Sequence, residues 1–319
     1  MANSTKVLVT GGNGYLAFRL INQLLEKQYY VVTSVRSQDP NKVAKLFDLQ
    51  KKYPNQLELF TADLLTAGAL DEPASKVDAI FHTATPVIMG QNDDYENNML
   101  KPAVQGLQNV LDSALKSQTV KTILLTSSLM TVYPIPTPVR TYSEKDWNPV
   151  EKLEDNPYSF SKVKAERLFW EFIENHKDRF RGVALNPTLI LGPYTDFNAE
   201  KSSPYQNNKF IEPYVTGKAT SYPAGNLTII DVRDVARAHV AALEQPQANG
   251  RYALCSASIS WTQFMDALKK NFPNIKFPEQ QGQDPAELRT IDCTKARTDL
   301  KFEFIPYEQT LTDTAKQFV

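Results

Sequence analysis

Across 319 residues, 42% hydrophobic and 22% charged with a formal net charge of -1, the chain has the composition of an ordinary globular protein of one large domain or two smaller ones. That balance offers no electrostatic case for nucleic acid or an anionic membrane, and no apolar run approaches the roughly 18 residues a membrane helix needs. Two distant cysteines, Cys255 and Cys293, and three scattered histidines, His82, His176 and His239, form no metal pattern. The polar start, Met1 to Lys6, shows no secretory signal, so a cytoplasmic protein is expected.

In chain order, Lys6 to Thr10 is a short apolar run with the pattern of a buried strand. Gly11, Gly12 and Gly14 break it, and from Tyr15 the residues Leu16, Leu20, Ile21, Leu24 and Leu25 recur at helical spacing. A strand, a glycine turn and a helix starting at about Asn13–Gly14 present unpaired N–H groups and a positive dipole end to a pyrophosphate. Gly11 permits the turn and Gly14 a close approach of backbone to ligand. Tyr30 to Ser34 reads as a second strand, Pro40 to Lys52 as a helix and Leu57 to Thr61 as a third strand. A short helix is expected near Gly68 to Ala74, a fourth strand at Asp78 to His82, a long helix over Asp94 to Lys116 and a fifth strand at Thr122 to Thr126. This alternation predicts a doubly wound parallel α/β sheet with its ligand across the carboxyl ends of the strands.

Residues 133–155 are irregular and Pro-rich, as a functional loop would be. Asn156-Pro157 then starts a helix that runs to about Asn175. Gly182 to Leu185 is a sixth strand, the sheet is expected to resume near Leu227 to Ile230, and Arg251 to Leu254 adds one more. Asp231 caps the helix to about Glu244, with Asp234 at its third position as a capping arrangement. The division expected is 1–190 plus about 226–255 for the nucleotide, and about 191–225 plus 256–319 for a smaller lobe.

Tyr158 and Lys162 stand one helical turn apart on one face. A free phenol has a pKa near ~10; a neighbouring ammonium and the helix dipole are expected to lower it, giving a proton donor for an alkoxide as it forms. Thr126-Ser127-Ser128 ends the fifth strand at the same crevice, where a hydroxyl can stabilise charge on a carbonyl oxygen. Periodicity does not separate Ser127 from Ser128. Arg36 closes the second strand where an NAD site usually has an acidic residue, and Lys42 follows six residues on. Two cations there suit the 2′-phosphate of NADP(H).

With these residues in place, the chain resembles the extended short-chain dehydrogenase/reductases, in the branch of dihydroflavonol, cinnamoyl-CoA and microbial aldehyde or methylglyoxal reductases. The resemblance is carried by Thr10–Ala17, Val35-Arg36-Ser37, His82–Pro86, Lys101-Pro102, Leu125–Ser128, Tyr158–Lys162, Leu185–Thr188, Leu191–Pro193 and Ile230–Ala236. It implies a Rossmann-type fold with a C-terminal substrate-binding lobe and a catalytic set of Ser128, Tyr158 and Lys162. It also implies cofactor contacts at Gly11, Asn13, Gly14, Tyr15, Leu16, Arg36, Lys42, Asp63, Leu64, Ala84, Thr85, Pro187 and Thr188.

Departures from the pattern are Ala17 in place of the third glycine and Gln105 where the wider family often has Asn. Tyr133 replaces an Asn of the flavonoid-reducing relatives, and Asn156–Lys162 lacks the cinnamoyl-CoA reductase form NWYCYGK. A flavonoid or a CoA thioester is therefore not the expected native substrate. Tyr133, Tyr194 and Tyr205, among other aromatic residues of 133–150 and 192–223, are expected to wall a pocket for a small hydrophobic carbonyl. The expected activity is NADPH-dependent reduction of an aldehyde or ketone by a monomer or homodimer. The alternatives are an NAD-dependent sugar-nucleotide epimerase or dehydratase and a non-catalytic NADP(H) sensor.

Overall fold

The computed structural model describes residues 5–85, 94–194 and 207–319. Strand β1 (Lys6–Thr10) leads through the glycine turn into helix α1 (Tyr15–Glu26), followed by β2 (Tyr30–Val35), α2 (Pro40–Lys52), β3 (Leu57–Thr61) and the short α3 (Asp71–Ala74). Next come β4 (Ala79–His82), a π-helical turn at Glu96–Leu100, α4 (Lys101–Lys116) and β5 (Thr122–Thr126). The chain continues with β6 (Thr141–Tyr142), α5 (Pro157–Asn175), β7 (Arg181–Pro187), β8 (Leu189–Leu191), β9 (Ser221–Pro223) and β10 (Asn226–Asp231). The last strands are β11 (Gly250–Leu254), β12 (Ala257–Ser260), β13 (Glu279–Gln281) and β14 (Thr290–Ile291).

Seven strands form one sheet in the order β11-β7-β5-β4-β1-β2-β3, and every neighbouring pair in it is parallel. Alternation along the strands sends Val7, Val9 and Phe81 to one face, against α1 and the helix Val232–Glu244. Leu8 and Ile80 go to the other face, against α4 and α5. Both faces are thus covered, as an all-parallel sheet requires. The order reverses between β1, which continues to β2, and β4, which continues to β5. That switch point opens a crevice at the carboxyl ends.

Two expectations are corrected. Leu227 to Ile230 does not rejoin the main sheet: β10 pairs with β8 and β12 in a separate three-stranded sheet, and β11 takes the edge beside β7. An apolar run shows that a strand is buried, not which sheet buries it. The helix expected over Asp94 to Lys116 is broken into the π turn and α4, with Pro102 in the first turn of α4 where its missing N–H costs nothing. Beyond the main sheet, Phe210, Tyr214, Trp261 and Phe264 pack edge to face, apart from the tilted pair Phe210–Trp261. Trp261 and Phe264 belong to the lobe's core with Tyr222 and Leu268. Tyr222 is buried in that core, whereas Phe210 and Tyr214 pack against it half-buried. Among the described residues no helix is long and apolar enough to cross a membrane.

Helix Val232–Glu244 is pinned to the sheet by the buried His239. Its Nδ1 bonds the Val235 carbonyl at 2.7 Å and its Nε2 the Thr126 hydroxyl at 2.7 Å. A carbonyl only accepts, so Nδ1 carries the proton and Nε2 accepts from Thr126. Burial pushes this imidazole down from 6.5 to about 4. The unfolded chain therefore binds more protons on acidification, and the stability His239 contributes is whole above pH 6.5 and lost as pH falls towards 4. Denaturant midpoints measured from pH 7.5 to 4.5 are expected to decline, with His239 accounting for on the order of 3 kcal/mol. His239→Gln should flatten that slope; an unchanged slope would contradict the assignment.

Candidate active site

Gly11 sits at the end of β1 with φ of +72°, and a Cβ there would lie 2.7 Å from the Ala84 Cβ. The turn thus brings the glycine loop against the segment after β4. Thr10 fixes the same junction: its hydroxyl accepts from the N–H groups of Thr83 and Ala84, both at 3.1 Å. The hydroxyl proton then goes to His82 Nδ1, 3.0 Å away. Burial and the Lys162 charge push His82 down to about 3, so it remains neutral. Gly14 is the N-cap of α1 and supplies no side-chain cap, so the first-turn N–H groups, those of Tyr15 and Leu16 among them, are left for a ligand. Arg36 and Lys42 are exposed after β2. Asp39, the neighbouring carboxylate, is used to cap α2 through the Asn41 N–H.

Asn156 caps α5 by accepting from the Ser159 N–H at 2.9 Å, and this sets Tyr158 and Lys162 on the first turns of the helix. The Lys162 ammonium is 5.9 Å from the Tyr158 ring centroid. Desolvation raises the phenol's pKa, while contact with the Ser128 hydroxyl pulls it the other way. The net lowering expected from Lys162 is therefore not found, because burial is the largest influence on the phenol and raises its pKa. Burial also brings Lys162 down to about 8, with Glu166 opposing the fall.

The structure separates the two serines. Ser127 turns inward and donates to Glu166 Oε2 at 2.6 Å, whereas Ser128 is the residue that meets Tyr158. Ser128 Oγ also accepts from the Met130 N–H at 3.1 Å. Pro187 ends β7, and the Thr188 hydroxyl donates to the Thr228 carbonyl at 2.6 Å. Asn186, beside them, reaches the Ser128 carbonyl at 3.4 Å. Thr85 lines a cavity of about 10 Å³ together with His82, Ser127, Lys162 and Glu166.

Other expected residues lie on the rim. Asp63 is exposed, with its carboxylate accepting from the Leu65 N–H at 3.0 Å, and the Leu64 carbonyl accepts from Asn109 at 2.7 Å. Gln105 is exposed and donates to Asn109, so it stands outside the Ser128–Tyr158–Lys162 group. Tyr133 is buried, its hydroxyl 3.1 Å from that of Thr228 and its ring under the Arg289 guanidinium. Tyr194 is buried 5.1 Å edge-on from Tyr15. Tyr205 and Phe197 lie outside the described residues. Asp231 caps its helix through the Arg233 N–H, but Asp234 takes the Ile305 N–H and Arg237 instead of completing a capping box.

The network around Glu166, Arg251, Asn186 and Thr131 was not anticipated. Its one legible signal was spacing, since Tyr158, Lys162 and Glu166 recur every four residues on one face of α5.

A family model described as the NAD dependent epimerase/dehydratase family matches residues 7–255. The chain belongs to that family. It is 33% identical to a putative NADPH-dependent methylglyoxal reductase, GRP2, of Candida albicans over the full length of both chains. It is also 33% identical to an anthocyanidin reductase of Vitis vinifera, covering 89% of this chain and 86% of the relative. The fold matches that of the yeast methylglyoxal/isovaleraldehyde reductase Gre2 complexed with NADPH, with a TM-score of 0.88, 28% identity and 98% of each chain covered.

A dinucleotide fits the family's crevice as it is built here. The glycine cradle is too close to Ala84 for side chains, the α1 N-terminus has no cap of its own, and two cations flank the end of β2. The loop is also tied to the lobe: Tyr15 Oη donates to the Gly192 carbonyl at 2.8 Å and Arg19 to that of Pro193 at 3.0 Å. Tyr15→Phe should lower stability by about 1 kcal/mol, measured by thermal or denaturant unfolding. Asn208 keeps the Gly192 carbonyl bonded in that variant, so a far larger loss would show a second role for the hydroxyl.

Proposed function

We propose that this chain is an NADPH-dependent reductase that converts an aldehyde or ketone to the alcohol. The observation that carries the reading is the convergence of Ser128, Tyr158 and Lys162 beside a glycine cradle flanked by Arg36 and Lys42. The NADPH named for the methylglyoxal reductase relatives supports it. The substrate class is a small hydrophobic carbonyl, in keeping with the methylglyoxal and isovaleraldehyde of those names. No observation favours the epimerase or the sensor reading. The nucleotide side comprises 1–190 and the part of about 226–255 that follows β10, and the carbonyl side about 191–225 and 256–319 together with β10, which pairs with β8 and β12. The protein acts in the cytosol as a monomer or homodimer.

Bound NADPH supplies the hydride. The first-turn N–H groups of α1, with Gly11, Asn13, Gly14, Tyr15 and Leu16, take the pyrophosphate, and Arg36 and Lys42 the 2′-phosphate. Asp63 and Leu64 border the adenine, Ala84 and Thr85 the middle, and Pro187 and Thr188 the nicotinamide end. Ser128 and Tyr158 hold the carbonyl oxygen, and the Tyr158 hydroxyl gives up its proton to it as negative charge develops. The raised pKa keeps Tyr158 protonated through the neutral range, as a donor must be. Lys162 holds the ribose and offsets the charge left on the phenolate.

Incubating purified protein and NADPH with carbonyls from methylglyoxal and branched aliphatic aldehydes to aryl ketones and dihydroflavonols tests the reading. Oxidation is expected with a small aldehyde or ketone, and none across the panel would overturn it. Tyr158→Phe should abolish turnover while NADPH binding persists. Arg36→Ala with Lys42→Ala should weaken NADPH binding by about tenfold or more, with little effect on NADH. Because the Lys162 cation is lost above about 8, kcat/KM for reduction should fall on the alkaline side near that pH.

A further inference from the structure

Glu166 lies one turn beyond Lys162 on α5 and has no solvent exposure. Its Oε2 accepts from Ser127 Oγ at 2.6 Å, Thr131 Oγ1 at 2.6 Å and Asn186 Nδ2 at 2.8 Å. Its Oε1 accepts from Arg251 Nε at 2.6 Å and Trp170 Nε1 at 3.2 Å. Two of these donors adjoin site residues in sequence and a third lies one turn away. Ser127 precedes Ser128, Thr131 closes the turn that Ser128 caps, and Asn186 precedes Pro187 and Thr188. The segments that carry Ser128 and Pro187–Thr188 are thus tied to this carboxylate, which stands on the same helix as Tyr158 and Lys162.

We propose that Glu166 is a positioning residue of the reaction, the buried negative charge against which Lys162 is held as a cation and on which the Ser128, Tyr158 and Pro187–Thr188 segments are aligned. This rests on the reading above. A buried carboxylate is costly unless its acceptor sites are filled and its charge is paired. Four uncharged donors and the Arg251 guanidinium do so here. Arg251 is itself braced, donating to the Glu144 carbonyl at 2.8 Å and stacking on Trp147. It thereby locks the loop after β5 to the edge of the sheet.

Glu166 and Lys162 share the small cavity beside β5. The groups facing Lys162 there are Tyr158 and Glu166 from its own helix and His82 from β4, while α4 contributes only Ala103 and Leu107. Arg251 on β11 acts through Glu166. Tyr158 and His82 are neutral, so Glu166 is the one anion among these groups. It opposes the fall that burial imposes on Lys162.

Glu166→Gln keeps the shape and removes the charge; with its amide oxygen toward Ser127, Thr131 and Asn186 it keeps the acceptor that aligns those segments and gives up the bonds from Arg251 and Trp170. The alkaline limb of kcat/KM should move to lower pH by about one unit, so that activity falls about tenfold at pH 8.5 and little at pH 6.5. Lysine side-chain NMR of the cofactor-free protein should show Lys162 titrating lower by the same amount, a measurement independent of turnover. The single variant leaves Arg251 buried and unpaired, which can destabilise the fold, so Glu166→Gln with Arg251→Met removes both charges. A limb and an NMR titration that stay low in the double variant support the proposal. Return to the wild-type position there would overturn it, by assigning the shift to the orphaned guanidinium. An unmoved Lys162 in the single variant would overturn it equally. A wild-type protein that oxidises no NADPH would instead sink the reductase reading, and the NMR titration would still decide the role of Glu166.

Discussion

Parallel pairing is the constraint from which the rest follows. When every strand of a sheet runs the same way, all the carboxyl ends lie along one edge, and whatever the chain carries there is gathered without further instruction. Gly11, Arg36, Ala84, Ser128 and Pro187 come from five strand ends separated by as many as 176 residues (187 − 11). The reversal between β1 and β4 then opens the crevice beside the glycine turn. A single antiparallel strand within that row would have sent its terminal residue to the opposite edge.

Residues whose behaviour is decided locally could be read from the sequence. The glycine turn, the Asn156 cap and the alternation of β1 depend on a few neighbours in the chain, and each is found at its expected place. Assignment of Leu227 to Ile230 to the main sheet failed because burial of a strand carries no label for its partner. Only β8 and β12, distant in sequence, decide it. The phenol of Tyr158 is a similar case. Charge proximity along a helix is visible in the spacing, but the desolvation that raises the phenol's pKa comes from the packing around the crevice.

The choice between Ser127 and Ser128 shows the same limit at the scale of one residue. Both end β5, and nothing in their spacing distinguishes them. A carboxylate 39 residues away takes the first for itself and leaves the second to face Tyr158. Polar residues at such a strand end thus split into those that carry the site and those that stand next to the reacting group. The second class is invisible until the contacts are known. Arg251 and Asn186 belong to it, as members of a buried network with no surface signature.

The position of β10 bears on how a protein of this architecture can be recombined. The chain leaves the main sheet after β7, pairs β8 with β10, and returns directly into the helix Val232–Glu244 that packs against the nucleotide side. It then leaves again between β11 and β12. The lobe is therefore no contiguous cassette. A chimera that borrows a relative's carbonyl-binding half has to be cut and rejoined near residues 188, 232 and 255 at once. A single crossover near 188 would carry the helix Val232–Glu244 and β11 over to the wrong parent, and one near 232 or 255 would split β12 from β8 and β10.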